Sequence, residues 1–290
     1  MNQQLFTNAR ASTPVSGFHG QLFAASMLAF VGLFVVGLLL LLAADVLYSG
    51  PDALRGVFEL KRIQASLWLS LWTSGLTVLI GLALAVPMGY ALSRYRFPGH
   101  ALVDSMVDLP IILPPLVVGL SLLVFFTEPP FRSPPLPGVL AYWLTYWTRA
   151  IGTHLIFQPK GIVLCQLLVS ASFGIRAVKL TFDGIDPRVE HVAMTLGCTR
   201  AGAFFRVALP MARRGIIVGG ILIWTRAFGI FGPLMVFVGA VSMRTEVLPT
   251  TIYLEQSVGN IEVALAVAIL MIVLATVGLV TVRIVGLRGK

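Results

Sequence analysis

Four histidines, His19, His100, His154 and His191, and two cysteines, Cys165 and Cys198, are among the side chains from which a metal centre or nucleophilic site could be assembled. Their spacing builds neither. The chain has no His-Glu-x-x-His, no paired metal ligands and no nucleophile elbow, and the phosphate-cradling Gly-x-x-x-x-Gly-Lys-Ser/Thr is also missing. The sequence gives no support to an enzymatic centre. Cys165 sits in an apolar run and Cys198 in a polar segment, so both read as unpaired thiols.

Arg226 is the charged side chain that most needs an explanation, because it interrupts an apolar run from Arg214 to Gly239. It lies about twelve residues into that run, or about 18 Å at 1.5 Å per helical residue, near the middle of a bilayer. A guanidinium there costs roughly 2.5–3.5 kcal/mol even on insertion scales, so it must face protein or water. Two readings stand. Arg226 pairs with Asp108 or a backbone carbonyl, although Asp108 enters its own run by only about 9 Å; or, beside Gly229 and Gly232, it faces a translocation path. Pro110, Pro114 and Pro115, with Pro87 in the preceding run, remove backbone donors and free carbonyls, which is tolerable only against protein or water. They mark the third run either as a pore wall or as a helix kinked for packing. Gly215 and Gly219, four apart, form a close-packing face for the same subunit or for a second copy.

The solvent that must surround these residues follows from composition. Of 290 residues, 57% are hydrophobic and 11% charged, where a soluble domain carries about 25% charged residues. Six stretches reach the ~20 residues that cross a ~30 Å hydrocarbon core: Leu22–Tyr48, Ser66–Leu92, Leu102–Phe126, Gly161–Leu180, Arg214–Gly239 and Val263–Val285. They are too long and too uniformly apolar for barrel strands, so the expected fold is an all-α membrane protein with six transmembrane helices. The first run is too long for a signal-peptide core and lacks a strong basic flank, so it reads as a retained helix.

A net charge of +9 does not point to nucleic acid, because topology accounts for it. With the N-terminus inside, Arg55, Lys61, Arg62, Arg132, Arg149, Lys160 and Arg244 fall outside and Arg226 stays in a span. The rest of the 21 basic residues, Arg94, Arg96, Arg176 and Lys179 among them, are cytoplasmic. The positive-inside rule therefore gives N-in, C-in.

Two loops stand out. The external one, 127–160, opens with a proline-rich stretch that cannot be helical and continues into Tyr142, Trp143, Tyr146 and Trp147 at i, i+3 and i+4 spacing. That pattern is an interfacial helix, serving as an aromatic belt or contacting an external partner. The cytoplasmic one, 181–213, is the sizeable polar segment on its face. Asp186-Pro187 is an N-cap followed by proline at the first helical position, with Glu190 in the first turn. The helix should stop at Gly197, and Thr199 should cap a second helix, Arg200–Leu209, ended by Pro210. Two short helices meeting at a glycine make a stiff knob.

This loop resembles that of permeases of ATP-binding-cassette importers, whose signature is Glu-Ala-Ala, three residues, Gly, nine residues, Ile-x-Leu-Pro. Here His191-Val192-Ala193 is followed by Gly197 and by Val207-Ala208-Leu209-Pro210, with the glycine-to-Leu-Pro spacing intact. His191 replaces the usual first Glu, and Glu190 stands one residue earlier. Further along, Asp108-Leu109-Pro110 to Pro114-Pro115 and Gly119, Phe157 to Gln166, Ala227 to Gly232, and Leu248 to Tyr253 are similar to stations of the molybdate, tungstate and sulfate permeases. Ile230 stands where those permeases often have Glu.

The resemblance implies a type I importer permease fold. It implies a coupling loop at 181–213 in which Glu190, His191, Ala193, Gly197, Val207, Leu209 and Pro210 meet a cytoplasmic ATPase. It also implies a translocation path involving Arg226, Gly229, Gly232, Pro110, Pro114 and Pro115, with Arg226 offsetting the cost of a dianion in a low-dielectric constriction. The chain would bind no cofactor; ATP and magnesium would sit on the partner ATPase. A second permease copy or paralogue, an external solute-binding protein and membrane lipid complete the partners. The expected organisation is a cytoplasmic tail at 1–21, a first helix with an external loop at 22–65, a permease core at 66–285 and a cytoplasmic tail at 286–290, in a bacterial or archaeal plasma membrane. The alternative is an ATP-independent six-helix channel or secondary carrier, for which the loop would be dispensable; a scaffold protein would carry no flux.

Overall fold

The structure is a computed structural model and describes residues 18–127 and 138–287. The terminal tails and most of the proline-rich stretch, with Arg10, Glu128, Arg132, Arg288 and Lys290, lie outside the described residues. The described chain is helical, and its elements in order are α1 (Phe18–Glu59), α2 (Lys61–Arg94), α3 (His100–Ile112), α4 (Pro115–Thr127), α5 (Gly138–Thr153), α6 (Pro159–Asp183), α7 (Pro187–Thr195), α8 (Arg200–Ala203), α9 (Leu209–Phe228), α10 (Gly232–Phe237), α11 (Leu248–Ser257) and α12 (Ile261–Leu287).

Helices long and apolar enough to cross a membrane are Gln21–Glu59, Lys61–Arg94, Pro159–Asp183, Arg200–Phe228 and Ile261–Thr281. A sixth span arises if α3 and α4 are taken together, but they are bent by 108° at Leu113–Pro114. This corrects the expectation of one bent helix over Leu102–Phe126. Pro114 and Pro115 both lack an N–H, and a residue before proline is driven to extended backbone, as Leu113 is at φ −64°, ψ 135°. A single proline does less: α3 continues through Pro110 and α2 through Pro87.

The fifth span is also displaced from Arg214–Gly239. The chain stays helical from Arg200 through a π-helical turn at Phe204–Ala208 into α9, which ends at Phe228. Pro210 therefore does not terminate a helix. In the π turn the Leu209 N–H bonds to the Phe204 carbonyl five residues back, and Pro210 then falls in the first turn of α9, where no N–H is needed.

The chain divides into a unit up to Tyr48 and a unit from Ser49 onward. In the first, α1 carries exposed apolar side chains such as Phe23, Leu28, Phe34 and Leu40, as a lipid-facing helix does. Gly50, at φ 70°, and Pro51 kink the end of α1 within the second unit. There, α6 is the central helix, with Ile162, Cys165, Val169, Val178 and Phe182 along its length fully buried. It packs on α2 and α9. Gly219 of α9 lies so close that an added Cβ would stand 3.1 Å from Val178 and 3.3 Å from the Gly174 carbonyl, and a Cβ on Gly215 would overlap Thr181. The small-residue face of the fifth span thus packs within the chain.

Three apolar clusters fill this unit. Leu122, Ile162, Val169, Leu234 and Phe237 join α4, α6 and α10. Ala85, Val178, Phe182, Ala208 and Ala212 join α2, α6 and the start of α9. Val57, Ile63, Phe228, Leu248 and Val267 join the end of α1 to α2, α9, α11 and α12.

Candidate functional site

The knob at 186–210 forms as its caps dictate. Asp186 accepts from the Arg188 N–H at 2.9 Å and Pro187 opens α7. At the other end the Cys198 N–H donates to the Ala193 carbonyl at 3.1 Å and the Gly197 N–H to Met194 at 3.0 Å, the paired bonds of a Schellman motif. Gly197 sits at φ 94°, the left-handed region, with open space where a Cβ would be. Its requirement is conformational, not steric. Thr199 then accepts from the Gly202 N–H at 3.1 Å to start α8.

The residues of the knob separate by direction. His191 is exposed, as are Val192 and Leu196 at 58% and 82%, and the latter two put an apolar tip beyond the helix. Ala193, Val207 and Leu209 are half-buried, and Pro210 is exposed. Glu190 turns the other way and is buried. Its carboxylate accepts from Tyr90 Oη at 2.6 Å and from Arg94 Nε at 2.7 Å, both on α2. Arg94 also donates to the Ile185 carbonyl at 2.9 Å. Tyr90 packs edge-on against Phe182 and Phe204, with centroids 5.2 and 4.6 Å away. The family resemblance groups Glu190 with the partner-facing residues. The first-turn position was visible, but the side chain's inward direction depends on where α2 passes.

The second group of expected residues assembles only in part. The break at Leu113–Pro114 and the break after α9 abut: an added Cβ on Gly232 would stand 3.5 Å from the Leu116 Cα, and one on Gly119 would meet the Pro233 Cα at 2.5 Å. Pro114, Pro115, Gly229 and Gly232 therefore mark two helix interruptions packed against each other, whereas Pro110 lies within α3. Gln166 secures the second break. Its Nε2 donates to the Ala227 carbonyl at 3.2 Å and its Oε1 accepts from Thr77 at 2.9 Å.

Arg226 is not at mid-helix. It lies in the last turn of α9, where a cation complements the C-terminal end of the dipole. It is exposed, with its guanidinium 5.6 Å from the centre of the Phe173 ring. The pairing with Asp108 is not formed. Asp108 is engaged by Arg176, which also contacts Asp104 at 3.1 Å, and Lys179 reaches Asp104 at 3.0 Å. Arg176 and Lys179, expected on the cytoplasmic side and within the Gly161–Leu180 run, lie in the C-terminal part of α6.

One further polar cluster escaped the sequence reading. Arg62 contacts Glu255 and lies 3.8 Å from Glu246, both carboxylates being buried. Thr251 donates to Glu246 at 2.9 Å and Asn260 to Glu255 at 3.0 Å. Among the described residues, no group of three or more His, Cys, Asp or Glu side chains is arranged to hold a metal ion.

Residues 78–288 match the family model described as "Binding-protein-dependent transport system inner membrane component". The chain is 36% identical over 212 residues to the "Molybdenum transport system permease protein ModB" of Escherichia coli (strain K12), covering 73% of this chain and 88% of that protein. It is 29% identical over 265 residues to the "Sulfate transport system permease protein CysW" of Synechocystis, covering 89% and 91%. Among solved structures, a chain from a bacterial ABC transporter importing the acidic polysaccharide alginate superposes with a TM-score of 0.72 at 19% identity, covering 94% of this chain and 97% of that one. That likeness is one of fold.

Proposed function

The chain belongs to the family of binding-protein-dependent transport system inner membrane components, and from that premise we propose that it is the permease subunit of an ATP-driven importer for a small tetrahedral oxyanion. Molybdate, tungstate and sulfate are the candidate cargoes, in keeping with the similarity to ModB, CysW and the molybdate/tungstate permease WtpB of Thermococcus kodakarensis, to which it is 37% identical over 167 residues, 58% of each protein. It is a multi-pass protein of the cytoplasmic membrane.

The observation that carries the coupling assignment is the knob at 186–210, a Schellman-capped helix with an exposed apolar tip at Val192 and Leu196. Such a tip fits a groove on a cytoplasmic ATPase subunit, which holds ATP and magnesium. His191, Ala193 and Gly197 shape the docking helix; Val207, Leu209 and Pro210 carry the movement into α9. A stiff protrusion is needed because a soft loop would absorb the displacement. A second permease chain completes the path, and an external solute-binding protein delivers the anion. The abutting breaks at Pro114–Pro115 and Gly229–Gly232, with Pro110 and Arg226 beside them, belong to the translocation path, and Arg226 supplies the charge that offsets anion desolvation.

Reconstitution tests this directly. The permease is co-expressed with its ATPase, purified in mild detergent and placed in vesicles with the binding protein. Stoichiometric ATPase, and uptake of radiolabelled molybdate or sulfate that requires ATP, is the expected result. Flux without ATP, or a permease that recruits no ATPase, sinks the proposal.

A further inference from the structure

We propose that Glu190, Tyr90 and Arg94 form a brace that locks the cytoplasmic knob to α2, so that Glu190 is a positioning residue for coupling and makes no contact with the ATPase. The inference rests on the knob being the coupling element and adds how its movement reaches the membrane helices. Covalently, α7 hangs from α6 only through Gly184, Ile185 and Asp186. That linker and the one to α8, at 196–199, are both non-helical, so the covalent ends alone would let α7 rock when its tip is pushed. Arg94 spans that connection: one nitrogen holds the Ile185 carbonyl at 2.9 Å and another holds Glu190 at 2.7 Å. This non-covalent attachment to α2 holds α7 against rocking.

The brace is buried at Glu190 and its carboxylate is fully paired. Glu190 is 6% exposed, and each of its carboxylate oxygens takes one donor, Tyr90 Oη at 2.6 Å on one and Arg94 Nε on the other. Charge-assisted bonds in such a setting are strong and directional. Tyr90 is also packed among Phe182 of α6 and Phe204 of the π turn, so the hydroxyl that holds Glu190 belongs to a side chain wedged between α6 and the second half of the knob. Behind it, α2 and α6 run in close contact at Gly89, where a Cβ would stand 2.9 Å from the Lys179 backbone nitrogen. A push on Val192 and Leu196 therefore displaces α2 and α6 as one body. The docking face lies on the opposite side of α7 and does not include Glu190.

The test uses the assembled transporter with its binding protein in vesicles, comparing Glu190→Gln, Arg94→Gln and Tyr90→Phe with the unsubstituted chain. ATPase should co-purify with all three in normal stoichiometry. Hydrolysis stimulated by the loaded binding protein, and uptake, should fall at least about fivefold in Glu190→Gln and Arg94→Gln, and less in Tyr90→Phe, which removes a single hydroxyl. The Glu190→Gln/Arg94→Gln double variant should be no worse than either single one, which separates a shared link from two independent losses of fold. Tyr90→Phe, whose ring packing is untouched, keeps the test valid if a charge variant yields too little protein. Loss of ATPase binding in Glu190→Gln at normal yield would make Glu190 a docking residue and overturn the brace, as would unchanged coupling in the variants that are recovered. If the unsubstituted chain recruits no ATPase, the coupling assignment itself fails, whatever the variants do.

Discussion

Asp108 on α3 pairs with Arg176 on α6, and the two helices match in depth where they meet. Asp104 and Asp108 lie four and eight residues from the start of α3, about 6 and 12 Å; Lys179 and Arg176 lie four and seven residues from the end of α6, about 6 and 10 Å. Two acids one turn apart thus face two bases one turn apart, and the network ties the helix entering the proline break to the helix leading into the knob.

Removing one member should loosen α3. The side chains of Asp108 and Arg176 are about 28–29% exposed, so neither the full cost of a buried charge nor the near-zero value of a surface pair applies. Asp108→Asn should lower stability by about 1.5–3 kcal/mol, the range for a hydrogen bond to a charged group. The unfolding temperature in detergent should drop correspondingly. Arg176→Gln should give a similar loss, and the double variant should fall well short of their sum.

Gly197 distinguishes conformational from steric demand. Its Cβ position is open, so a substitution suffers from φ 94° alone. Asn tolerates the left-handed region and should retain most coupling, whereas a β-branched residue there is a backbone outlier. Gly197→Val should cost about 1–2 kcal/mol locally and reduce binding-protein-stimulated hydrolysis sharply, with Gly197→Asn between it and the unsubstituted chain. Equal hydrolysis rates in all three would remove the Schellman turn from the coupling element.

His191 is exposed on α7, beside the braced Glu190, and its family counterpart is a carboxylate. His191→Glu places a negative charge one residue past the first turn of α7, where the helix dipole has largely fallen off, so helix stability should change little. ATPase co-purification should be unchanged or improved, and a marked loss would show that the imidazole makes a contact of its own.

The apolar runs and the capped knob were legible because both are local: run length follows bilayer thickness, and Asp186, Pro187, Gly197 and Thr199 act within a few residues of themselves. Less local features were misplaced. Pro210 looks like a stop, yet one π turn absorbs it; Pro114–Pro115 looks like a kink and is a 108° break. The ion network is legible in the chain as the matched spacing and depth of Asp104 and Asp108 with Arg176 and Lys179. Nothing in the sequence says which way Glu190 points, because Tyr90 and Arg94 lie 100 and 96 residues away.

Arg226 now has a sharper test than its sequence position allowed. No carboxylate among the described residues pairs with it, and its guanidinium lies over the Phe173 ring. Replacing it therefore leaves no buried acid uncompensated, so Arg226→Gln should fold, insert and bind the ATPase normally. If the guanidinium eases passage of a dianion, flux should depend on its charge more than on its shape. Arg226→Lys should keep a substantial share of uptake, and Arg226→Gln should lose about tenfold, which requires only ~1.4 kcal/mol at the rate-limiting barrier. Uptake of labelled molybdate or sulfate, normalised to assembled transporter, measures both. Normal flux in Arg226→Gln would take Arg226 out of the path. Equal loss in the two variants would assign it to packing on Phe173 and the end of α9.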